Sequence, residues 1–184
     1  MVRVPVSVRV LLIGVLLLLA GGCSCGPEPK AWNVRVSLDQ ETWQRAYAGQ
    51  QVPPYRFEVD LIGVTASEKA QLENYPVGSY FTPGDQRRLD ADRVTLSWDP
   101  GQSQPKTLPK THEAWARWKG ATHLVVMANL QGVQVAPGAA DPRRVVLPLA
   151  CDAWEAVKET VEIVVKSSTI VNATEPKTPS KPIF

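Results

Sequence analysis

Residues 55–64 read YRFEVDLIGV. Tyr55, Phe57, Val59 and Leu61 alternate with Arg56, Glu58 and Asp60, so one face of an extended chain is apolar and the other charged. A period of two is the signature of a strand with one face on a core. The same alternation recurs upstream in WNVRVSL (32–38), where Trp32, Val34, Val36 and Leu38 share a face. It recurs downstream in RVTLSW (93–98), through Val94, Leu96 and Trp98, before DPGQS supplies a turn. HLVVMANL (123–130) is apolar on both faces, which fits a central strand covered on each side. RRVVLPL (143–149) and VEIVVKSSTIV (161–171) complete the set. Pro148 has no N–H for a ladder, so its strand should end there or lie at an edge.

Short strands separated by turn signals, without alternating helices, predict a mainly β fold, an antiparallel β-sandwich. The 16 prolines oppose long helices, while 44% hydrophobic residues and 6 tryptophans supply a core. Two stretches read as short inserted helices. SEKAQLENY (67–75) holds good helix formers, with Ser67 placed to cap its start. HEAWARWKG (112–120) sets Trp115 and Trp118 on one face and stops at Gly120. Those two indoles have two readings: a lid packed on the sheet, or an aromatic platform for a ligand.

The N-terminus carries a different message. Arg3 and Arg9 precede VLLIGVLLLLA (10–20), an apolar run too short for a permanent span of about 20 residues. It reads as a removable export signal. The small residues Ala20, Gly21 and Gly22 then lead directly into Cys23. That order resembles the bacterial lipobox, in which the cysteine thiol takes a diacylglyceryl group and becomes the new N-terminus. The alternative is a plain N-terminal anchor helix with incidental cysteines. Several acyl chains, of the palmitate type, would hold stably where one holds marginally. The division expected is a signal peptide over 1–22, a lipidated N-terminus and linker over 23–31, a sandwich over 32–172, and a flexible proline-rich tail over 173–184. With Cys23 acylated, Cys25 and Cys151 are left either to pair in an oxidising compartment or to stay unpaired.

Charge and motifs exclude several classes. Twenty Lys and Arg balance 18 Asp and Glu, without a basic cluster beyond the pairs Arg87–Arg88 and Arg143–Arg144, so nothing points to nucleic acid. His112 and His123, the 2 histidines, have no metal-ligand spacing. No nucleophile motif or phosphate-cradling glycine loop occurs. The expectation is no enzyme, no cofactor, no metal and no small-molecule substrate. Carboxylates on the alternating strands read as solvated faces.

The order of features from 33 to 149 resembles the outer-membrane lipoprotein family of the type VI secretion system, the TssJ-like family. The shared motifs are a proline before a strand (Pro54, then Tyr55 to Leu61), a helix inserted after it (Ser67 to Tyr75), and a strand closed by a P-G-x-S turn (Val94 to Ser103). A G-A-x-x-L strand follows, from Gly120 to Ala128. ETWQRAYA, the tryptophan helix and the long tail depart from that pattern. The resemblance implies a transthyretin-like sandwich tethered to the outer membrane and facing the periplasm. It implies a structural subunit of a trans-envelope secretion complex, binding the periplasmic domain of an inner-membrane component. Ser24, following the anchor cysteine, is compatible with outer-membrane sorting. The competing reading is a periplasmic ligand-binding lipoprotein built on the tryptophans. A sandwich of this kind acts through a surface, and the insertion ASEKAQLENYPVGSYF offers Leu72, Tyr75, Tyr80 and Phe81 as partner anchors. The same four side chains could instead cover an open end of the sandwich.

Overall fold

A computed structural model describes residues 30–150, 153–154 and 159–177. Cys23, Cys25 and Cys151, and with them the signal peptide, the lipid site and the expected disulfide, lie outside the described residues. Among the described residues, eight strands form two four-stranded sheets. They are β1 (Asn33–Leu38), β2 (Phe57–Val64), β3 (Arg93–Trp98), β4 (Lys106–Leu108), β5 (His123–Ala128), β6 (Arg144–Pro148), β7 (Thr160–Val165) and β8 (Ile170–Asn172). One sheet runs β4-β1-β7-β8 and the other β3-β2-β5-β6. Every neighbouring pair is antiparallel except β1 with β7, which run parallel from Asn33 opposite Thr160 to Leu38 opposite Val165.

The sequence alternation sets the core. Trp32, Val34, Val36 and Leu38 of one sheet face Phe57, Val59, Leu61, Leu124 and Val126 of the other, all buried. Near the β3 end, Trp43, Phe57 and Trp98 stack in series, with centroids 5.4 Å and 5.2 Å apart. Five of the six indole N–H groups donate to a backbone carbonyl: those of Trp43, Trp98, Trp115, Trp118 and Trp154. Those five keep their polar edges satisfied, while the buried Trp32 Nε1 finds no hydrogen-bond partner. β6 is an edge strand and ends at Pro148, as its missing N–H requires. In the turn after β3, Gly101 takes φ +78°, a conformation that side-chain-bearing residues rarely adopt.

Several expectations need correcting. The stretch 161–171 is not one strand but the hairpin β7–β8, closed by Lys166 N–H donating to Thr169 O at 2.8 Å. Five short helices occur among the described residues: α1 (Gln40–Ala46), α2 (Ala66–Glu73), α3 (Val77–Tyr80), α4 (Gln86–Asp90) and α5 (Ala114–Arg117). Thr65, not Ser67, caps α2, in a reciprocal capping box with Glu68. The tail boundary also falls later than 172. Ala173 N–H donates to Glu162 O, Lys177 N–H donates to Ala153 O, and Thr174 is buried.

Strand directions give the sandwich two unlike ends. The starts of β1, β3, β5 and β7 share one end with the finishes of β2, β6 and β8. There Lys30 N–H donates to Leu149 O, fixing where the described chain enters. At the other end lie α1, the turn at 99–105, the loop 129–143 and the β7–β8 turn.

Candidate functional site

The outer face of β3-β2-β5-β6 is where the sequence leaves something unfinished. Ile62 and Val64 of β2 point away from the inter-sheet core, with Val125 and Met127 of β5 beside them. An apolar strip on an outer face needs a cover. Residues 65–91 supply it, since Leu72, Val77, Tyr80 and Phe81 pack down on that strip as a second core. Thr65 starts the cover directly after β2, and Arg144 from β6 closes its first helix. The Arg144 guanidinium donates to Leu72 O at 2.6 Å and Tyr75 O at 2.8 Å, and also to Glu73 O. A cation there satisfies the carbonyls that a helix end leaves open.

Asp60 lies beneath this layer with none of its surface exposed. Its carboxylate accepts from Arg88 Nε at 2.8 Å, Arg88 Nη2 at 3.3 Å, Thr95 Oγ1 at 2.7 Å and the Tyr80 hydroxyl at 3.2 Å. Arg88 also reaches Glu58 at 2.6 Å, and Arg93 Nε stands 3.5 Å from Asp60. Burial pulls the Arg88 guanidinium down, but hydrogen bonds from Asp60 and Glu58 outweigh it and hold it above its ordinary pKa. Burial, then the Asp60 charge, pushes the Tyr80 hydroxyl well above its ordinary value, so it remains a donor. Sequence alternation read Asp60 as solvated. It is buried because a segment 28 positions on returns to cover it with Arg88.

A groove of about 690 Å³ runs between the turn after α2 and the β5–β6 loop. Tyr75, Ser79 and Thr82 line one wall, Val135 and Ala139 the other. Arg143 holds Asp141 with two bonds, at 2.9 Å and 2.7 Å. Burial raises the Asp141 carboxyl, but the Arg143 bonds outweigh it and keep the group below its ordinary value.

The four aromatic and aliphatic anchor candidates come together, but not on the surface. Leu72, Tyr80 and Phe81 are buried, which corrects their reading as exposed anchors: their contacts are spent on the second core. Tyr75 is half-buried, donates its hydroxyl to Asp85 at 2.6 Å, and carries the Arg87 guanidinium 4.8 Å over its ring. What the layer shows outward is the Tyr75–Arg87 stack and Leu89, which is 61% exposed. Arg87 was noted in the sequence only as half of a basic pair, and Leu89 not at all. An apolar residue on one turn of helix carries no periodic signal.

The tryptophan platform is excluded. Trp115 and Trp118 are buried edge-to-face at 5.1 Å, and Trp118 lies on Gly63, where a Cβ would come 2.3 Å from its ring. They form a lid. His123 is held below its ordinary pKa by burial and pairs with the Thr122 hydroxyl at 2.9 Å. Among the described residues, no group of three or more His, Cys, Asp or Glu side chains is placed to hold a metal ion.

No family model matches the chain, and no curated protein matches it in sequence. Among solved structures it is similar to Lip of Serratia marcescens, a membrane bound component of the type VI secretion system. That likeness has 16% identity and a TM-score of 0.47, over 83% of this chain and 99% of the other. It is also similar to the T6SS lipoprotein TssJ1 of Pseudomonas aeruginosa, at 13% identity and a TM-score of 0.47, over 82% of this chain and 99% of the other. A third likeness is to a chain in the structure of the T6SS protein TssM C-terminal domain from EAEC, at 14% identity and a TM-score of 0.46. It covers 77% of this chain and 98% of that one.

Proposed function

We propose that the chain is a divergent TssJ-like lipoprotein, a non-enzymatic assembly subunit of a trans-envelope type VI secretion complex. In this reading Cys23 carries the acyl anchor in the outer membrane. The domain faces the periplasm and binds the periplasmic domain of an inner-membrane component. The support begins with the sequence motifs and where they fall in the fold. Pro54 stands before β2, the inserted helix is α2, the P-G-x-S turn follows β3, and the G-A-x-x-L stretch runs into β5, a strand buried on both faces.

The observation that carries the reading is the helical layer. Both indole lids and the stacked aromatics belong to the inter-sheet core, so that core is closed without residues 65–91. Those residues are instead a preformed skin, clamped at Asp60, whose outward features are the Tyr75–Arg87 stack and Leu89. Tyr and Arg held rigid are the residue types that dominate protein interfaces. Among the described residues Arg87 makes no ion pair, which leaves its charge for a carboxylate on the partner. The ligand-binding alternative has lost its platform.

The test is capture from native membranes. Arg87→Ala with Leu89→Asp should leave the melting temperature within about 2–4 °C of the parent, as for surface changes below about 1 kcal/mol. It should weaken capture of the inner-membrane component at least about thirtyfold, the loss of one strong anchor. Unchanged capture would move the interface off this layer. Capture of transporter subunits instead of secretion components would sink the assembly reading.

A further inference from the structure

The two ends of the described chain leave the sandwich at the same place. Lys30 is tied to Leu149, and Lys177 to Ala153, whose own N–H donates to Ala150 O. Beside them the segment from Pro109 to Gly120 crosses from the β4 edge to the start of β5, with Trp115 and Trp118 turned inward. Its outward side chains include Lys110, Arg117 and Lys119. Of the seven lysines among the described residues, four (Lys30, Lys110, Lys119 and Lys177) lie at this end. Asp92, Glu113, Glu159 and Glu175 share it, the first three paired with Arg117 and Lys110.

Resting on the reading of Cys23 as the lipid anchor, we propose that this end is the lipid-facing surface of the domain, lying against phospholipid headgroups, with the loop-bearing end pointing away. Chain length decides it. Seven residue steps separate Cys23 from Lys30, and full extension gives at most about 25 Å. The eight-residue β2 alone is about 26 Å long, before the caps and loops at each end are added. A tether leaving beside Leu149 therefore cannot bring α1, the turn at 99–105 or the loop 129–143 to the membrane. The Lys30 end falls within its reach. Lysine ammonium groups on long stems suit a headgroup layer, because the charge stays hydrated while the stem adapts. The Tyr75–Arg87–Leu89 skin lies on the flank between the two ends, so a partner crossing the periplasm meets it without displacing lipid.

The experiment uses the full-length protein in vesicles of phosphatidylethanolamine and phosphatidylglycerol doped with a lipid bearing a photoactivatable headgroup. Cross-links are mapped by mass spectrometry, and the mass at Cys23 is read in the same digest. Acylated protein should cross-link at 30–31, 109–120 and 175–177, exceeding by several-fold any cross-links at 99–105, 131–140 or 166–169. Acylated protein that cross-links mainly at the loop end, evenly over the surface, or nowhere overturns the proposed face while leaving the anchor reading intact. An unacylated Cys23 overturns the anchor and the proposed face together.

Discussion

The two cores of this domain are held by different physics. Between the sheets the contacts are apolar and aromatic, and the polar atoms are indole N–H groups that find backbone carbonyls close by. Under the helical layer the apolar strip is smaller, and at its edge a fully buried carboxylate meets a guanidinium. The first core draws its stability from buried area, which is non-directional. The second depends on one arrangement, since a buried ion is stabilised only while its partner stays in place. The sandwich is thus an area-driven scaffold and the layer a keyed attachment.

The sharpest way to break that contrast is at the key. Arg88→Ala strips Asp60 of the guanidinium that donates to it, leaving only Arg93 at 3.5 Å, and should cost about 3 kcal/mol in urea unfolding. Replacing both partners by apolar residues, as Asp60→Leu with Arg88→Met, should recover most of that loss. Hydrogen exchange should show amides of α2 to α4 opening in Arg88→Ala while β1 and β7 stay protected. Equal loosening of both sheets would mean that the two cores are one cooperative unit and the contrast is false.

A smaller effect probes the tightness of the inter-sheet core. Gly63→Ala places a methyl into the Trp118 ring and should destabilise by about 1–3 kcal/mol, with the indole lid displaced. Indole fluorescence of the variant checks this, because a shifted lid wets Trp118. A variant as stable as the parent would show that the lid gives way freely, which would make this core the softer one.

The smallest effect is alkaline. Tyr80 in the keyed layer and Tyr55 beside the sandwich both have folded pKa values above the ordinary 10.0, Tyr55 being pushed up to about 12, mainly by burial. A group whose folded value is raised contributes its stability below the unfolded value and loses it as pH rises. The urea midpoint should therefore hold up to about pH 10 and fall between pH 10 and 12. Tyr80→Phe should flatten part of that slope, and a slope unaltered by it would assign the loss to Tyr55 and to Tyr75, whose bond to Asp85 also raises it.

Alternation made most of the scaffold legible. In β2 and β5 every second residue declared its face, and the both-faced apolarity of β5 correctly anticipated a cover on its outer side. What escaped was non-local. The hairpin at 166–169 lacks glycine and proline, yet its parity was readable. Val161, Ile163 and Val165 face inward at odd positions, whereas Ile170 does so at an even one. A strand cannot change face without a turn. Helices α3 and α4 are each one turn or little more, too short for any period to show, whereas α5 falls inside the helix expected over 112–120. Asp60 was misjudged because its burial is conferred by Arg88 and Tyr80, which approach only after the chain has turned back. The anchor residues of the insertion were correctly seen as apolar, but hydrophobicity alone does not distinguish a residue that binds outward from one that seals inward.

The parallel pairing of β1 with β7 governs the order in which the domain can be made. Asn33 to Leu38 are the first of the described strands to emerge from the ribosome, but their parallel partner is Thr160 to Val165, near the end of the described chain. Until then β1 has only the three residues of β4 to pair with, and its sheet is a ribbon too small to stand alone. Closing so long a loop is slow, because its entropy is lost before the contacts repay it. The sheet that holds β1 therefore closes only after almost all of the described chain has been synthesised, whereas β3-β2-β5-β6 has all its strands by Pro148. The two sheets thus come to hand on different schedules, the one that carries the helical layer first.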